Sequence, residues 1–155
     1  MVLIGLVGCT KPSSNAPAIP LTELINSPAK YDGATVLTEG VWFSAWELST
    51  LHQSKDSWPN KDALDRDIWL TFDEKDLAPD SLPAVKHLFK DMSVWEKGAG
   101  VLKIHVEVEG VFRHKDNIWG RLPGPSGFGH MGSFNNEFRT VRLLSYKLVE
   151  VQNDH

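Results

Sequence analysis

Between Val101 and Phe112 the chain reads VLKIHVEVEGVF, and this alternation restricts the fold more than any other stretch. Leu102, Ile104, Val106 and Val108 fall on one side of an extended backbone, and Lys103, His105, Glu107 and Glu109 on the other. A period of two marks a strand with one buried and one wet face. The stretch from Thr35 to Phe43 echoes it: Thr38-Glu39-Gly40-Val41-Trp42 matches Val108-Glu109-Gly110-Val111-Phe112. Each carries a Gly where a long strand must bend, which predicts two curved strands of one small β-barrel.

The remaining elements follow in order. Leu21 to Gly33 predicts a short helix capped by Thr22 and carrying Leu24 and Ile25. Pro28 ends or restarts it, and Tyr31-Asp32-Gly33 forms a turn with Gly33 available for positive φ. Glu47 to Gln53 predicts a second strand, Lys55 to Asp67 a charged loop, and Asp67 to Asp73 a third strand. In the third strand Ile68, Leu70 and Phe72 share one face, and Trp69 and Thr71 the other. Leu82, Val85, Leu88, Phe89 and Met92 recur at spacings of three and four, the stripe of an amphipathic helix. Asp80 or Ser81 would cap it, Pro83 fits its first turn, and Gly98 and Gly100 end it.

After the central strand, Lys115-Asp116-Asn117 predicts a turn and Ile118-Trp119-Gly120 a brief strand. A loop follows with Gly124, Gly127, Gly129, Gly132, Pro123 and Pro125, and long loops of this kind inside a compact domain usually carry function. Arg139 to Val151 is the closing strand. The expected fold is therefore mainly β with one or two helices: a five-stranded OB-like barrel with a helix between strands 3 and 4. At 155 residues one domain suffices, spanning 21–151.

The N-terminus has a different character. Residues 1–8 are apolar and small, MVLIGLVG, and the chain's single cysteine follows as Cys9. Leu6-Val7-Gly8-Cys9 resembles the lipobox of bacterial lipoproteins. The resemblance implies that 1–8 are the remnant of a signal peptide, that Cys9 is acylated, and that it becomes the mature N-terminus. No Lys or Arg precedes the short apolar run, so the expected start of translation lies upstream. Thr10 to Pro20 holds Pro and Ser with little apolar content and reads as an extended tether (9–20 with the lipidated Cys). Thr10 is not the Asp that retains lipoproteins in the inner membrane, so the resemblance favours the outer membrane, with the domain facing the periplasm.

A second resemblance covers roughly 21–151. Asn26-Ser27-Pro28-Ala29-Lys30-Tyr31-Asp32-Gly33 with Val36 and Gly40 behind it, then Val108, Gly110 and Phe112, then Gly129-His130-Met131-Gly132, is similar in order to OB-like domains of an uncharacterised bacterial envelope-protein family. It implies the fold and an envelope location, and no reaction.

The chemistry-bearing residues point to binding. His105, Glu107 and His114 could approach one another near the central strand, but no recognised metal-ligand spacing is present, and a solvated polar face is the expected reading. Ser126 in Gly124-Pro125-Ser126-Gly127 lacks the strand-then-helix setting of a nucleophile elbow. No pair of carboxylates stands out for acid–base work, so no catalytic residue, metal or cofactor is expected. Trp42, Trp46, Trp69, Trp119, Arg121 and His130 are the expected binding residues, on an aromatic face and the 120–136 loop, for an envelope protein, peptide or glycan. The alternative is an oligonucleotide-binding OB-fold, with those Trp stacking bases and Lys103, Arg113, Lys115 and Arg121 supplying charge. A net charge of −4 and acidic groups on the central strand weigh against it.

Overall fold

A computed structural model describes residues 13–57, 67–97, 100–116, 128–129 and 134–153. Two short helices, α1 (Leu21–Asn26) and α2 (Pro28–Tyr31), lead into β1 (Thr35–Ala45) and β2 (Leu48–His52). β3 (Ile68–Thr71), α3 (Leu82–Trp95), β4 (Val101–His114) and β5 (Asn136–Gln152) complete the chain. The protein is mainly β, and its sheet closes in a ring of order β1-β2-β3-β5-β4 with the long helix between β3 and β4. All neighbours are antiparallel except β3 and β5, whose parallel pairing of Ile68–Thr71 with Asn136–Arg139 closes the ring.

β4 is the element the others share. It pairs with β1 from Thr35↔Val111 to Ser44↔Leu102, and with β5 along its whole length. The β5 register shifts between Lys103 and Ile104, Glu107 and Val108, and Glu109 and Gly110. Such irregularities bend a strand and let a small sheet curl shut. Gly40 and Gly110 serve the same end. A Cβ at Gly40 would lie 2.7 Å from the His52 carbonyl oxygen, and one at Gly110 would lie 2.3 Å from the Arg139 carbonyl oxygen. The backbones approach closely there because no side chain separates them.

The alternating residues behave as their pattern requires on one side only. Leu102, Ile104, Val106 and Val108 are fully buried, joined by Val36, Trp42, Leu51, Ile68, Leu70, Phe112, Phe138 and Leu143 in the main core. Of the side read as wet, His105 and Glu107 are partly exposed, but Lys103 and Glu109 are buried. Each is neutralised from β5: Lys103 Nζ donates to Glu150 Oε1 at 3.0 Å, and Arg142 Nη1 donates to Glu109 Oε1 at 2.8 Å. A buried charge survives only when paired in this way.

Helix α3 packs Val85, Leu88 and Met92 onto the core. Phe89, expected in the same stripe, is instead 45% exposed. It sits at the rim, edge-on to Trp42 and Phe72 at 6.3 and 6.0 Å between centroids. Ser81 occupies the N-cap position without a capping side-chain bond. Its Oγ accepts the Leu143 amide at 2.7 Å, so it ties the helix start to β5. Thr22 is likewise not a cap: α1 begins at Leu21 with Pro20 before it. The restart at Pro28 is as expected, with the proline in the first turn of α2.

The turn after α2 is a clasp. Gly33 has φ +79°, its amide donates to the Phe112 carbonyl at 2.8 Å, and the Phe112 amide returns a bond to Ala34 at 3.0 Å. Asp32 Oδ1 accepts the His114 amide at 2.9 Å, and that bond, aided by Arg113, holds its carboxyl below the usual range. Tyr31 donates its hydroxyl to Glu23. The Pro/Ser stretch, expected to stay clear of the domain, pairs with it at its end. Leu37 N donates to Pro17 O and Ile19 N to Leu37 O, both at 2.9 Å, so Pro17–Ile19 runs parallel to β1 on the edge that β2 leaves free.

Candidate functional site

Six tryptophans on a chain of this size leave open which are core and which are surface. Trp42, expected on a binding face, is 3% exposed. It lies in the interior because β1 positions it opposite Ile104 of β4, and its ring meets Phe72 at 5.0 Å. Its indole N–H donates to Ser49 Oγ at 3.0 Å, and that hydroxyl donates to the Leu70 carbonyl at 2.6 Å. A buried Trp needs such a partner, and this one stitches β1, β2 and β3 together.

Trp69, on the opposite face of β3 from Leu70, is partly buried against Gly129 and Phe134 of the Gly-rich loop. Phe134 stacks on it at 5.1 Å, and Phe128 and Phe134 exchange backbone bonds at 2.7 and 3.0 Å. Gly129, at φ +69°, passes so close that a Cβ there would lie 2.5 Å from the Trp69 ring. This glycine is therefore fixed by packing. Cys9, Trp119, Arg121, Ser126 and His130 lie outside the described residues.

Trp46 is the opposite case. β1 and β2 are joined by a two-residue turn, Trp46-Glu47, with Ala45 paired to Leu48. Glu47 adopts φ +59°, the left-handed region that non-glycine residues rarely enter. The indole stands out at the tip, 91% exposed. A hollow of about 370 Å³ beside it is lined by Ser44, Ala45, Trp46, Glu96, Gly100 and Leu102. Glu96, the C-cap of α3, has no sequence motif to announce it: only the closing of the ring brings the end of α3 beside the tip of the first hairpin.

Comparison of the chain with protein-family models, with curated proteins and with solved structures finds no match. The site must be read from its own chemistry.

Two clusters of polar side chains carry groups capable of chemistry. On the outer face of β1 and β4, Glu39 stands opposite Glu107, with His105 Nε2 3.6 Å from Glu39 and Ser145 Oγ 3.1 Å from Glu107. His114, grouped with His105 and Glu107 from the sequence, is at the far end of β4, bonded to Asn136 at 2.8 Å. Among the described residues, no three His, Cys, Asp or Glu side chains gather to hold a metal. Of the basic residues expected to serve a phosphate backbone, three are described and engaged: Lys103 with Glu150, Arg113 with Asp32 at 3.3 Å, and Lys115 over the Phe128 ring at 4.7 Å.

The second group has the order of a nucleophilic relay. Thr50 Oγ1 lies 2.7 Å from His52 Nε2, and His52 Nδ1 lies 4.0 Å from Asp67 Oδ1. Thr50 is wholly buried, so no substrate carbonyl reaches it, and the His–Asp separation is too long for a hydrogen bond. The group is a polar inclusion in the outer packing beside Phe43, whose ring is 4.4 Å from His52.

That inclusion has a measurable consequence. Burial pushes the His52 pKa down to about 4 from 6.5, so the folded protein keeps a neutral imidazole. The unfolded chain takes up a proton below 6.5 and the folded chain only below about 4, so stability contributed by His52 is lost as pH falls through that window. The loss is on the order of 3 kcal/mol. Denaturant titrations from pH 7.5 to 4 are expected to show this decline in the wild type and a flatter course in His52→Gln. Parallel curves for the two would mean that His52 does not titrate in this way.

Proposed function

We propose that the protein is a non-catalytic binding or scaffolding module of the bacterial cell envelope, lipid-anchored through Cys9 and facing the periplasm, with the outer membrane the favoured location. The observation that carries the binding part is Trp46. Trp42 is consumed by the core and Trp69 by packing against Gly129 and Phe134, but Trp46 is held in solvent on a tight turn that costs backbone strain. A large aromatic group so placed suits the centre of an interface with an envelope protein, peptide or glycan. The same placements favour this reading over oligonucleotide binding, because Trp42 and Trp69, two of the four Trp expected to stack bases, are taken up by packing.

The anchor rests on the resemblance of Leu6-Val7-Gly8-Cys9 to a lipobox. With Pro17–Ile19 held on β1, residues 10–16 provide a reach of at most about 25 Å between lipid and domain. Fractionation of cells carrying the gene with its upstream region tests the anchor. Wild type is expected in the membrane fraction, and Cys9→Ala is expected to be soluble or unprocessed. Both forms in the cytoplasmic fraction would overturn it.

A further inference from the structure

The hollow at the Trp46 tip has a defined chemistry. Trp46, whose side chain is almost wholly in solvent, and the exposed Glu96 both line it. Glu96 is also the C-cap of a 14-residue helix, whose terminal carbonyls carry partial negative charge. Lys97 follows Glu96 along the chain, and the Glu96 carboxylate with the helix end forms the negative side of the hollow.

We propose that this hollow binds a cationic side chain of a protein partner, a guanidinium group above all. An aromatic face attracts a cation through its quadrupole, and a carboxylate beside it completes the pair. A guanidinium suits both walls, because it can stack on the indole while its N–H groups donate to the carboxylate. The volume of about 370 Å³ is within the range of small-ligand sites and admits one such side chain.

The placement favours a protein over a bilayer as the occupant. Pro17–Ile19 runs parallel to β1 beside Leu37, so the chain before Pro17 leaves toward the Thr35 end of that strand. Trp46 lies beyond the other end, about 30 Å away along the strand. The Glu96 carboxylate at the hollow also disfavours anionic headgroups. The inference deepens the binding-module reading and rests on it, but it does not need the lipid.

Titration of the full chain in solution tests the site independently of the anchor. The Trp46 indole N–H signal is identified by its loss in Trp46→Phe, and the probe is Nα-acetyl-arginine amide. A saturable shift of that signal is expected, with a dissociation constant of about 1–50 mM, as suits a single side chain. Glu96→Gln is expected to weaken binding about fivefold or more, as loss of one charged partner should. The uncharged citrulline analogue is expected to leave the signal in place. A shift that citrulline reproduces, a shift that Glu96→Gln leaves unchanged, or no shift at all would overturn the proposal. So would Trp46-dependent binding to phosphatidylglycerol vesicles, which would make the tip a membrane contact. Failure of Cys9 processing, with the titration intact, would remove the anchor and leave this site standing.

Discussion

Gly110→Ala is expected to be the most damaging small substitution in the chain. The added methyl would lie 2.3 Å from the Arg139 carbonyl oxygen, 2.9 Å from its carbon and 2.5 Å from the Phe138 ring. Two of these three are backbone atoms of β5, which cannot turn aside as a side-chain end can. Phe138 is fully buried, so its ring has little room to move either. Relief requires β4 and β5 to separate at the place where their register already shifts, in a pairing that runs the whole length of β4. The cost of overpacking a tight site is about 3 kcal/mol or more, a large share of a small domain's stability. Thermal or urea unfolding of the purified variant, or its recovery only as insoluble protein, checks this. A melting temperature within about two degrees of wild type would contradict it.

The second large effect is expected at Arg142. Its Nη1 donates to Glu109 at 2.8 Å, and its Nε reaches Asp80 at 3.4 Å ahead of α3. The Glu109 side chain is only 7% exposed, so Arg142→Ala leaves a carboxylate buried with its main cation gone. Breaking one side of a buried pair costs about 3–5 kcal/mol; Arg142 is itself 29% exposed and water can enter, so about 3 kcal/mol is expected. The double variant Glu109→Gln with Arg142→Ala should recover part of the loss, because it removes the stranded charge. A double variant no better than the single would contradict this account of the pair.

What the sequence discloses and what it conceals separate along physical lines. The inward side of β4 is legible because burial selects a period of two, and Leu102 to Val108 carry nothing else on that side. Gly40 and Gly110 are legible as bends, though the cause is the approach of a neighbouring backbone. The Tyr31-Asp32-Gly33 turn is legible as a turn; its work as a clasp on Phe112 and His114 is not, since the partners lie some 80 residues away. The buried state of Lys103 and Glu109 is hidden for the same reason: their partners Glu150 and Arg142 lie 47 and 33 residues further along. Phe89 falls on the helical stripe by spacing but at the rim by position, and spacing alone does not report where a helix leaves the sheet.

The tryptophans make the point most sharply for the site. Trp42 and Trp46 are four residues apart, yet one is core and the other is in solvent. The difference is that β1 stops at Ala45. An aromatic count cannot separate them, and the partner wall, Glu96, comes from an element 50 residues later that only the closed ring brings alongside.

The most direct test of the account is mass spectrometry of the N-terminal peptide of the mature protein, purified from membranes of cells expressing the gene with its own upstream region. The account predicts a peptide that begins at Cys9 and carries the mass of a diacylglyceryl group on its sulfur. A mature chain that continues upstream of Cys9 with the thiol unmodified would contradict it, and the domain would then be a binding module that no lipid holds.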